Sequence, residues 1–348
     1  MKESINRHLI GMRAAGCIAV LFVHAFTGPQ EPLQPLLESL NQLARFGTPL
    51  LLFISAYLMF GASGRTPFDV RRFVQRRFQY IVLPFLLVSL IQIAPFVQQR
   101  QFLKIGIHFL TGGGSHLFFV PLMIQVYALY VLLRVWGRPL DWRRLLLPSL
   151  LVSLVWSCAW LGLDVQVNRW QWLLPGWLPF VVLGALCATE PSWLPAFWRR
   201  HALPLNAALL AAAGLVAVQL HVFGPGSLSS VQREILSTSR GPAVIVYALL
   251  FIAWWVARWP QLKERELPPL IGLISSRSFG IYLVHPFVNG ALSAVPAFLN
   301  APLFLRVLLM LLASLALVCL VGALPGGSWL VGKPSPTGIT PRREQVVA

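Results

Sequence analysis

An arginine and a histidine stand eleven residues apart in the first apolar stretch of the chain, as Arg13 and His24 in MRAAGCIAVLFVHAF. Eleven residues of an α-helix make about three full turns and rise by about 16 Å, so both side chains lie on one face at different depths. Ionisable residues within an apolar helix are costly to bury and mark functional sites. The pair therefore predicts a polar site along one face of the first helix.

Three histidines are predicted to lie at a common depth. His24 ends the first apolar stretch, His116 opens the fourth on the same side, and His285 lies in the second half of the ninth. A neutral imidazole in a low-dielectric cavity can take a proton from a hydroxyl as that oxygen attacks an acyl carbonyl. The three histidines either converge on one such site or are unrelated residues near the membrane interface.

Other chemistries find little support in the sequence. No HxxxH, HxH or His/Asp pair stands at metal-ligand spacing, so we expect no metal site. The four cysteines lie in apolar stretches without CxxC spacing, which argues against disulfides and thiolate metal sites. A carboxylate that would orient a catalytic histidine is missing from the apolar stretches. The acids at a suitable height are Glu31, Glu38 and Asp164.

The elements that position these residues are predicted to be membrane helices. The 348 residues are 57% hydrophobic and 11% charged, which is incompatible with a soluble domain and a solvated surface. Apolar windows of about 20 residues, the length that crosses a bilayer as a helix, recur along the chain. We predict an all-α, polytopic membrane helix bundle with about ten transmembrane helices. Their ranges are Leu9 to Phe26, Ala44 to Gly61, Phe78 to Val97, His116 to Trp136, Leu145 to Gly162, Trp172 to Thr189, Leu203 to His221, Gly241 to Ala257, Leu270 to Ala294 and Pro302 to Leu324.

The distribution of basic residues predicts the orientation of the bundle. Most of the 28 Lys and Arg fall on one side of it, and the positive-inside rule places that side, with both termini, in the cytoplasm. The basic residues of the opposite loops are Arg100, Lys104, Arg169, Arg233 and Arg240. The net charge of +17 is then explained by topology and by anionic lipid headgroups, so we expect no nucleic-acid partner.

The chain is predicted to contain one domain. No internal repeat is visible, and no soluble domain adjoins the apolar stretches. We expect a transmembrane domain over residues 1–324 and a flexible cytoplasmic tail over residues 325–348, which is rich in glycine and proline.

The Arg13-x10-His24 pair is followed along the chain by four further stretches with recognisable patterns. They are RFGTPLLLFISAYLMF, RRFVQRRFQYIVLPF, SHLFFVPLMIQVYALYVL and SRSFGIYLVHP. Together with the pair, these stretches resemble the acyltransferase 3 family, polytopic enzymes that move acetyl or other acyl groups from acyl-coenzyme A onto glycans of the bacterial envelope. The pair is similar to the family's signature in the first helix, and the later stretches resemble its patterns in the same order, with Ala56 replacing a usual glycine. The resemblance runs from Leu9 to His285 and is closest to exopolysaccharide and O-antigen O-acetyltransferases, a branch that also contains proteins assigned to polysaccharide export or succinylation.

The resemblance implies an O-acyltransferase of the bacterial inner membrane. Its co-substrate would be acetyl-CoA or another acyl-CoA from the cytoplasm, with no permanently bound cofactor. The acceptor would be a hydroxyl of an exopolysaccharide, an O-antigen or a lipid-linked sugar. Membrane lipids and other polysaccharide-assembly proteins would be further partners.

The resemblance also implies roles for individual residues. His24 would be the general base, with Arg13 and Arg45 completing the catalytic set, and Arg45 would stabilise the oxyanion or steer a glycan group. Arg13, Arg76 and Arg77 would anchor the phosphates of coenzyme A. His116 and His285 would shape the acceptor pocket. Trp170 and Trp172 would form either a sugar platform or an ordinary aromatic belt.

An exporter of a surface polysaccharide that forms no bond is the alternative function. A path for a glycan requires polar and aromatic faces along several helices, and no predicted span shows a sustained polar stripe. Arg13 in register with His24 favours the enzyme.

Overall fold

The computed structural model describes residues 2–26, 34–61, 68–112, 116–137, 140–166, 169–222, 227–259 and 267–332. Within these ranges the chain consists of helices joined by turns and short loops, and it contains no strand. The predicted all-α fold is therefore confirmed.

Seventeen α-helices follow one another in the described ranges. Their bounds are α1 Lys2–Ala25, α2 Gln34–Leu43, α3 Gly47–Gly61, α4 Val70–Arg77, α5 Leu83–Gln98, α6 Phe102–Thr111, α7 Phe119–Trp136, α8 Trp142–Gly162, α9 Leu178–Thr189, α10 Trp193–Arg200, α11 Ala202–Val222, α12 Ser230–Leu236, α13 Pro242–Arg258, α14 Pro269–Ser293, α15 Pro296–Leu299, α16 Leu303–Ala323 and α17 Ser328–Val331. Single 3-10 turns precede α3, α7 and α9, and a π-helical segment, Phe78–Val82, joins α4 to α5.

Seven helices in the described part of the chain are long and apolar enough to cross a membrane. They cover Arg7–Ala25, Gln34–Gly61, Val70–Ala94, His116–Trp136, Trp142–Gly162, Ala202–Val222 and Leu303–Ala323. An eighth is added if Leu174–Thr189 and Trp193–Arg200, which meet at an angle of 107°, form one broken span. Each of these overlaps a predicted apolar stretch, but Gln34–Gly61 and Val70–Ala94 begin ten and eight residues before the predicted starts at Ala44 and Phe78. The total of ten spans and the cytoplasmic termini stay predictions.

The two remaining predicted spans correspond to α13 and α14. Neither is among the seven long apolar helices, and the reason differs between them. α13 has 17 residues, which is at the short end of the range that crosses a bilayer. α14 has 25 residues, but its polar positions lower its mean hydropathy. These include Ser275, Ser276, Arg277, His285 and Asn289.

The first helix packs between two apolar clusters. Leu9 and Met12 join a cluster built mainly on α3, α7, α9 and α13. Cys17 and Leu21 join another built on α5, α14 and α16. Because apolar burial on both flanks fixes the rotation of α1, the face that carries Arg13 is turned between these helices rather than toward lipid.

Small residues allow α3 to approach its two neighbours closely. A Cβ on Gly184 of α9 would lie 2.6 Å from the backbone oxygen of Phe53 and 2.8 Å from the Cβ of Ala56. Where α3 begins, a Cβ on Gly47 would lie 2.9 Å from the backbone oxygen of Gly16. Helices in membranes associate through such close backbone contacts. The position of α3 is therefore fixed by α1 on one side and α9 on the other.

The segment predicted to begin a flexible tail is packed where the structure describes it. After α16 the chain turns and forms α17, which contacts α5, α14 and α16. Val331 is buried, because its side chain joins the apolar cluster of α14 and α16. The structure differs from the prediction of flexibility over residues 325–332 in this respect. Residues 333–348 lie outside the described part, and the domain boundary stays a prediction.

Candidate active site

A cavity of about 540 Å³ runs along the face of α1 that carries Arg13 and His24. Both residues line it, as their spacing predicts. Its other walls come from α3, the π-helical segment, the start of α7, α14 and the residues that precede α13. A cavity of this size is typical of small-molecule and cofactor sites.

The ionisable side chains that line the cavity are basic, apart from its tyrosines. No Asp or Glu is found among the described residues of its wall. The arginines and histidines there are Arg13, His24, Arg45, Arg77, His116 and Arg240. A low-dielectric cavity lined by one sign of charge attracts ligands of the opposite sign.

The cavity has two ends along the axis of α1. Arg13 lies eleven residues before His24 on α1, and Tyr127 lies eleven residues after His116 along the fourth span, a rise of about 16 Å in each case. The guanidinium carbon of Arg77 lies 5.1 Å from the centre of the Tyr127 ring. We call one end the Arg13 end, formed by Arg13, Arg77 and Tyr127. We call the other the His24 end, formed by His24, Arg45, His116 and Arg240.

The three histidines predicted to share a depth do converge. The ring of His285 lies 4.9 Å from that of His24 and 5.2 Å from that of His116, measured between ring centres. His285 is fully buried behind the cavity wall. Its Nδ1 lies 2.8 Å from the carbonyl oxygen of Tyr282 and 3.2 Å from that of Ile281. Because a carbonyl can only accept, Nδ1 carries the proton and Nε2 keeps its lone pair.

His24 offers a free imidazole to the cavity. Its ring is accessible there, and neither ring nitrogen forms a hydrogen bond with another described residue. The helix backbone at this point is held by Asn289, whose Nδ2 donates to the carbonyl oxygen of His24 at 3.3 Å. The ring is therefore placed by its helix and by contact with His285 rather than by a polar partner of its own.

The acids considered as partners of a catalytic histidine do not reach the cavity where the structure describes them. Glu38 accepts a hydrogen bond from Gln34 and lies 3.8 Å from His221. Asp164 is bonded to the hydroxyl of Ser229. Glu31 lies outside the described residues. Among the described residues, no carboxylate completes a triad with His24.

Arg45 lies where the 3-10 turn before α3 meets the His24 end. One of its terminal nitrogens donates to the side-chain oxygen of Asn41 at 3.1 Å. Its carbonyl oxygen accepts from the hydroxyl of Ser239 at 2.9 Å, which ties this turn to the segment before α13. Its Nε is buried and finds no hydrogen-bond partner in the described part of the chain.

Arg240 is a cavity residue that the sequence did not reveal. It is 5% exposed, and its guanidinium carbon lies 5.1 Å from the centre of the Phe118 ring and 5.6 Å from that of Trp177. Its Nε also lacks a partner among the described residues. The sequence places Arg240 in a loop, where its only distinguishing signal is the small-residue setting STSRGP just before a helix.

The two arginines predicted to anchor coenzyme A beside Arg13 lie in different surroundings. Arg77 lines the cavity and lies over the ring of Phe73 as well as that of Tyr127, at 5.1 Å from each centre. Arg76 is exposed and does not line the cavity. Arg13 is half-buried, lines the cavity and forms no hydrogen bond or ion pair with another described residue.

The two tryptophans named as a possible sugar platform do not line the cavity. Trp170 is buried, stacks on Trp160 and donates its Nε1 hydrogen to the carbonyl oxygen of Val165. Trp172 donates to the carbonyl oxygen of Arg169. Gln171, which stands between them, lines the cavity. The roles of Trp170 and Trp172 stay predictions, and their contacts are those of packing residues.

Tyr282 of α14 contacts the backbone of His116. From the sequence it appears only within the stretch SRSFGIYLVHP, with no role of its own. Its hydroxyl donates to the carbonyl oxygen of His116 at 2.5 Å, and it lines the cavity. Tyr282 therefore fixes the position of the backbone that carries His116.

Comparison with known proteins identifies the family of the chain. A family model described as an acyltransferase domain matches residues 6–323, which include all the residues of both cavity ends. The chain is also similar to a Bacillus subtilis (strain 168) protein named "Putative membrane-bound acyltransferase YfiQ", with 22% identity over 307 residues that cover 81% of this chain and 80% of that protein. No solved structure matches the chain. The chain therefore belongs to the acyltransferase 3 family and is a multi-pass membrane acyltransferase.

Proposed function

We propose that this acyltransferase moves an acetyl or other short acyl group from cytoplasmic acyl-CoA to a hydroxyl of an exopolysaccharide, an O-antigen or a lipid-linked sugar. One observation carries the proposal: a single cavity joins the arginines of the Arg13 end to the free imidazole of His24. The proposal places the protein in the bacterial inner membrane. Because basic loops favour the cytoplasmic side, the Arg13 end would face the cytoplasm.

The Arg13 end has the groups that a coenzyme A ester requires. Guanidinium groups match phosphate oxygens with paired, charge-assisted hydrogen bonds. Arg13 and Arg77 line the cavity, and exposed Arg76 adjoins Arg77 where the chain enters the third span. The rise of about 16 Å from Arg13 to His24 is comparable with an extended pantetheine arm. An acyl-CoA held in this way supplies an activated acyl carbonyl to the His24 end.

At the His24 end, His24 would act as the general base. Its imidazole takes the proton of the acceptor hydroxyl as that oxygen bonds to the acyl carbon. The carbon–sulfur bond breaks, and the imidazolium returns the proton to the departing thiolate, so that an ester and a free thiol are formed. Arg45 either stabilises the negative charge that develops on the carbonyl oxygen or steers a group of the glycan acceptor.

His285 and His116 support this step from behind and beside His24. The Nδ1 proton of His285 is committed to two carbonyl oxygens, so its Nε2 presents a lone pair to the histidine cluster. His116 lines the pocket into which the acceptor enters. An uncharged imidazole cluster keeps the base neutral and ready to take a proton.

The ester content of envelope glycans tests the proposal. It would be measured by NMR before and after mild base treatment, in cells that lack the gene and in the same cells carrying wild-type, His24→Ala or His201→Ala protein. We expect esters to disappear in the deletion strain and with His24→Ala, and to return with the wild type. His201 is exposed and does not line the cavity, so His201→Ala serves as the matched control.

Two outcomes would contradict the proposal. Loss of the polymer itself, with unchanged acylation of what remains, would identify an exporter instead of an enzyme. Wild-type ester levels with His24→Ala would remove His24 from the role of base while leaving the acyltransferase intact.

A further inference from the structure

We infer that the acceptor carries an anionic group, a carboxylate or a phosphate, and that Arg45 and Arg240 bind it at the His24 end. The inference rests on the proposed function, because it names the class of acceptor that the same cavity takes. It depends on three observations: two arginines whose Nε atoms are buried, the absence of a carboxylate from the described residues of the cavity wall, and the separation of these arginines from those of the Arg13 end.

The first observation concerns charge and burial. Arg240 is 5% exposed, and the Nε of each arginine is buried without a hydrogen-bond partner among the described residues. Burying a charged group without a compensating partner costs several kcal/mol, as an order of magnitude. The wall of the cavity offers no carboxylate in the described ranges. Glu234 is within electrostatic range of Arg240, but it is exposed and forms no ion pair with it.

The second observation is that both arginines are held in place and that their backbone segments are tied together. Arg240 lies over the rings of Phe118 and Trp177, and Arg45 donates to Asn41. The hydroxyl of Ser239 binds the carbonyl oxygen of Arg45, so the two backbone segments are tied together. Both side chains line the same end of the cavity. Guanidinium groups there can offer charge-assisted hydrogen bonds to the oxygens of a carboxylate or phosphate.

The third observation separates this site from the donor site. The Arg13 end has its own arginines, about 16 Å along α1 from His24. A neutral sugar would satisfy hydrogen bonds of Arg45 and Arg240 but would leave both charges uncompensated. An anion on the acceptor compensates them and also places the acceptor beside His24. We assign one anion to each end of the cavity.

Two sources would present the same chemistry. An acidic sugar carries a carboxylate, and a sugar phosphate or a lipid-linked sugar carries a phosphate. Glucuronic acid and glucose 6-phosphate are the soluble probes for these sources, and glucose is the neutral control. Binding would be followed by tryptophan fluorescence on the full chain in lipid nanodiscs, because Trp177 lies against Arg240.

The variants test the place of binding. We expect an acidic probe to bind more tightly than glucose, and Arg240→Gln and Arg45→Gln each to weaken that binding by about 10- to 100-fold, the effect of losing one hydrogen bond to a charged group. Arg13→Gln should leave the binding of the acidic probe unchanged, because Arg13 lies at the other end of the cavity. Arg144→Gln is a surface control, since Arg144 is exposed and paired with Asp141. Arg45→Gln keeps the test decisive if Arg240→Gln does not fold.

The outcomes separate this inference from the proposed function. Preference for glucuronic acid, or for glucose 6-phosphate, supports the anion site and identifies its source. Equal binding of glucose, or unchanged binding of the acidic probe in both folded arginine variants, overturns it. If an acidic probe binds through Arg45 and Arg240 while envelope esters persist in the deletion strain, the anion site stands and the proposed acylation of envelope glycans fails.

Discussion

The two ends of the cavity each have two arginines but hold them differently. At the Arg13 end, Arg77 rests against the rings of Phe73 and Tyr127, and Arg13 forms no hydrogen bond with another described residue. At the His24 end, Arg240 is buried between aromatic rings, and Arg45 is bonded through both its side chain and its carbonyl oxygen. The His24 end is therefore the more rigid of the two.

This difference agrees with the two tasks that we propose for the ends. Stabilising a developing charge requires groups that are fixed before the reaction begins, because no energy is then lost in reorganising them. Holding the phosphates of a long, flexible coenzyme tolerates side chains that adapt. Separate changes at the two ends should accordingly affect separate substrates, whereas a change in the shared scaffold should affect both.

The largest of the remaining effects is expected for Arg13→Gln. Removing one guanidinium from the Arg13 end should raise the KM for acetyl-CoA by about 10- to 100-fold, because a hydrogen bond to a charged group contributes roughly 1.5–3 kcal/mol. The KM for the acceptor should stay unchanged. The measurement is thiol release in nanodiscs at varied concentrations of each substrate, with Arg144→Gln as the surface control. A rise in the KM for the acceptor alone would contradict the assignment of the donor to the Arg13 end and of the acceptor to the His24 end.

A change in the shared scaffold should disturb both ends together. Gly184→Val places a side chain against the backbone of α3, where a Cβ already meets Phe53 oxygen at 2.6 Å. Overpacking of this kind typically costs about 1–3 kcal/mol of stability. The thermal unfolding midpoint should fall, and the KM values for donor and acceptor should both rise. Arg45 lies in the 3-10 turn just before α3 and Met59 near the end of α3, and both residues line the cavity.

The matched control for this change lies on another helix. Gly214 of α11 has nothing within 4 Å of an added Cβ, so Gly214→Val should leave the midpoint and both KM values close to those of the wild type. An equal loss of stability in the two variants would show that the effect comes from valine in a helix and not from the contact between α3 and α9.

Most of the fold could be predicted, because an apolar stretch long enough to span a membrane is recognised from consecutive residues alone. Each predicted apolar stretch coincides with a helix or helix pair of the structure. The sixth stretch, Trp172 to Thr189, differs because Pro175 and Pro179 cannot continue a regular helix, so a 3-10 turn precedes α9. α6 was missed because its ten residues are too few to register as a spanning helix.

The site residues that could be predicted depend on local helix geometry, whereas those that were missed depend on contacts between distant segments of the chain. Arg13 and His24 share one helix, so their common face follows from helical periodicity alone. The approach of His285 to His24 and His116 was predicted only as a common depth. Arg240 was missed, because its place beside Arg45 depends on a contact between segments 194 residues apart in the chain. No periodicity of one sequence reports a contact of that kind.

The smallest effect, at the His24 end alone, is expected for Tyr282→Phe. The hydroxyl that donates to the carbonyl oxygen of His116 would be lost, and a hydrogen bond of this type contributes about 0.5–1.5 kcal/mol, or roughly 2- to 10-fold in rate. Because Tyr282 acts through His116, kcat should fall while the KM for acetyl-CoA stays unchanged. Tyr247→Phe, a change of the same size at a buried tyrosine outside the cavity wall, should leave both constants unchanged. A raised KM for acetyl-CoA with Tyr282→Phe would mean that the donor contacts α14 at the His24 end, and the separation of the two ends would fail.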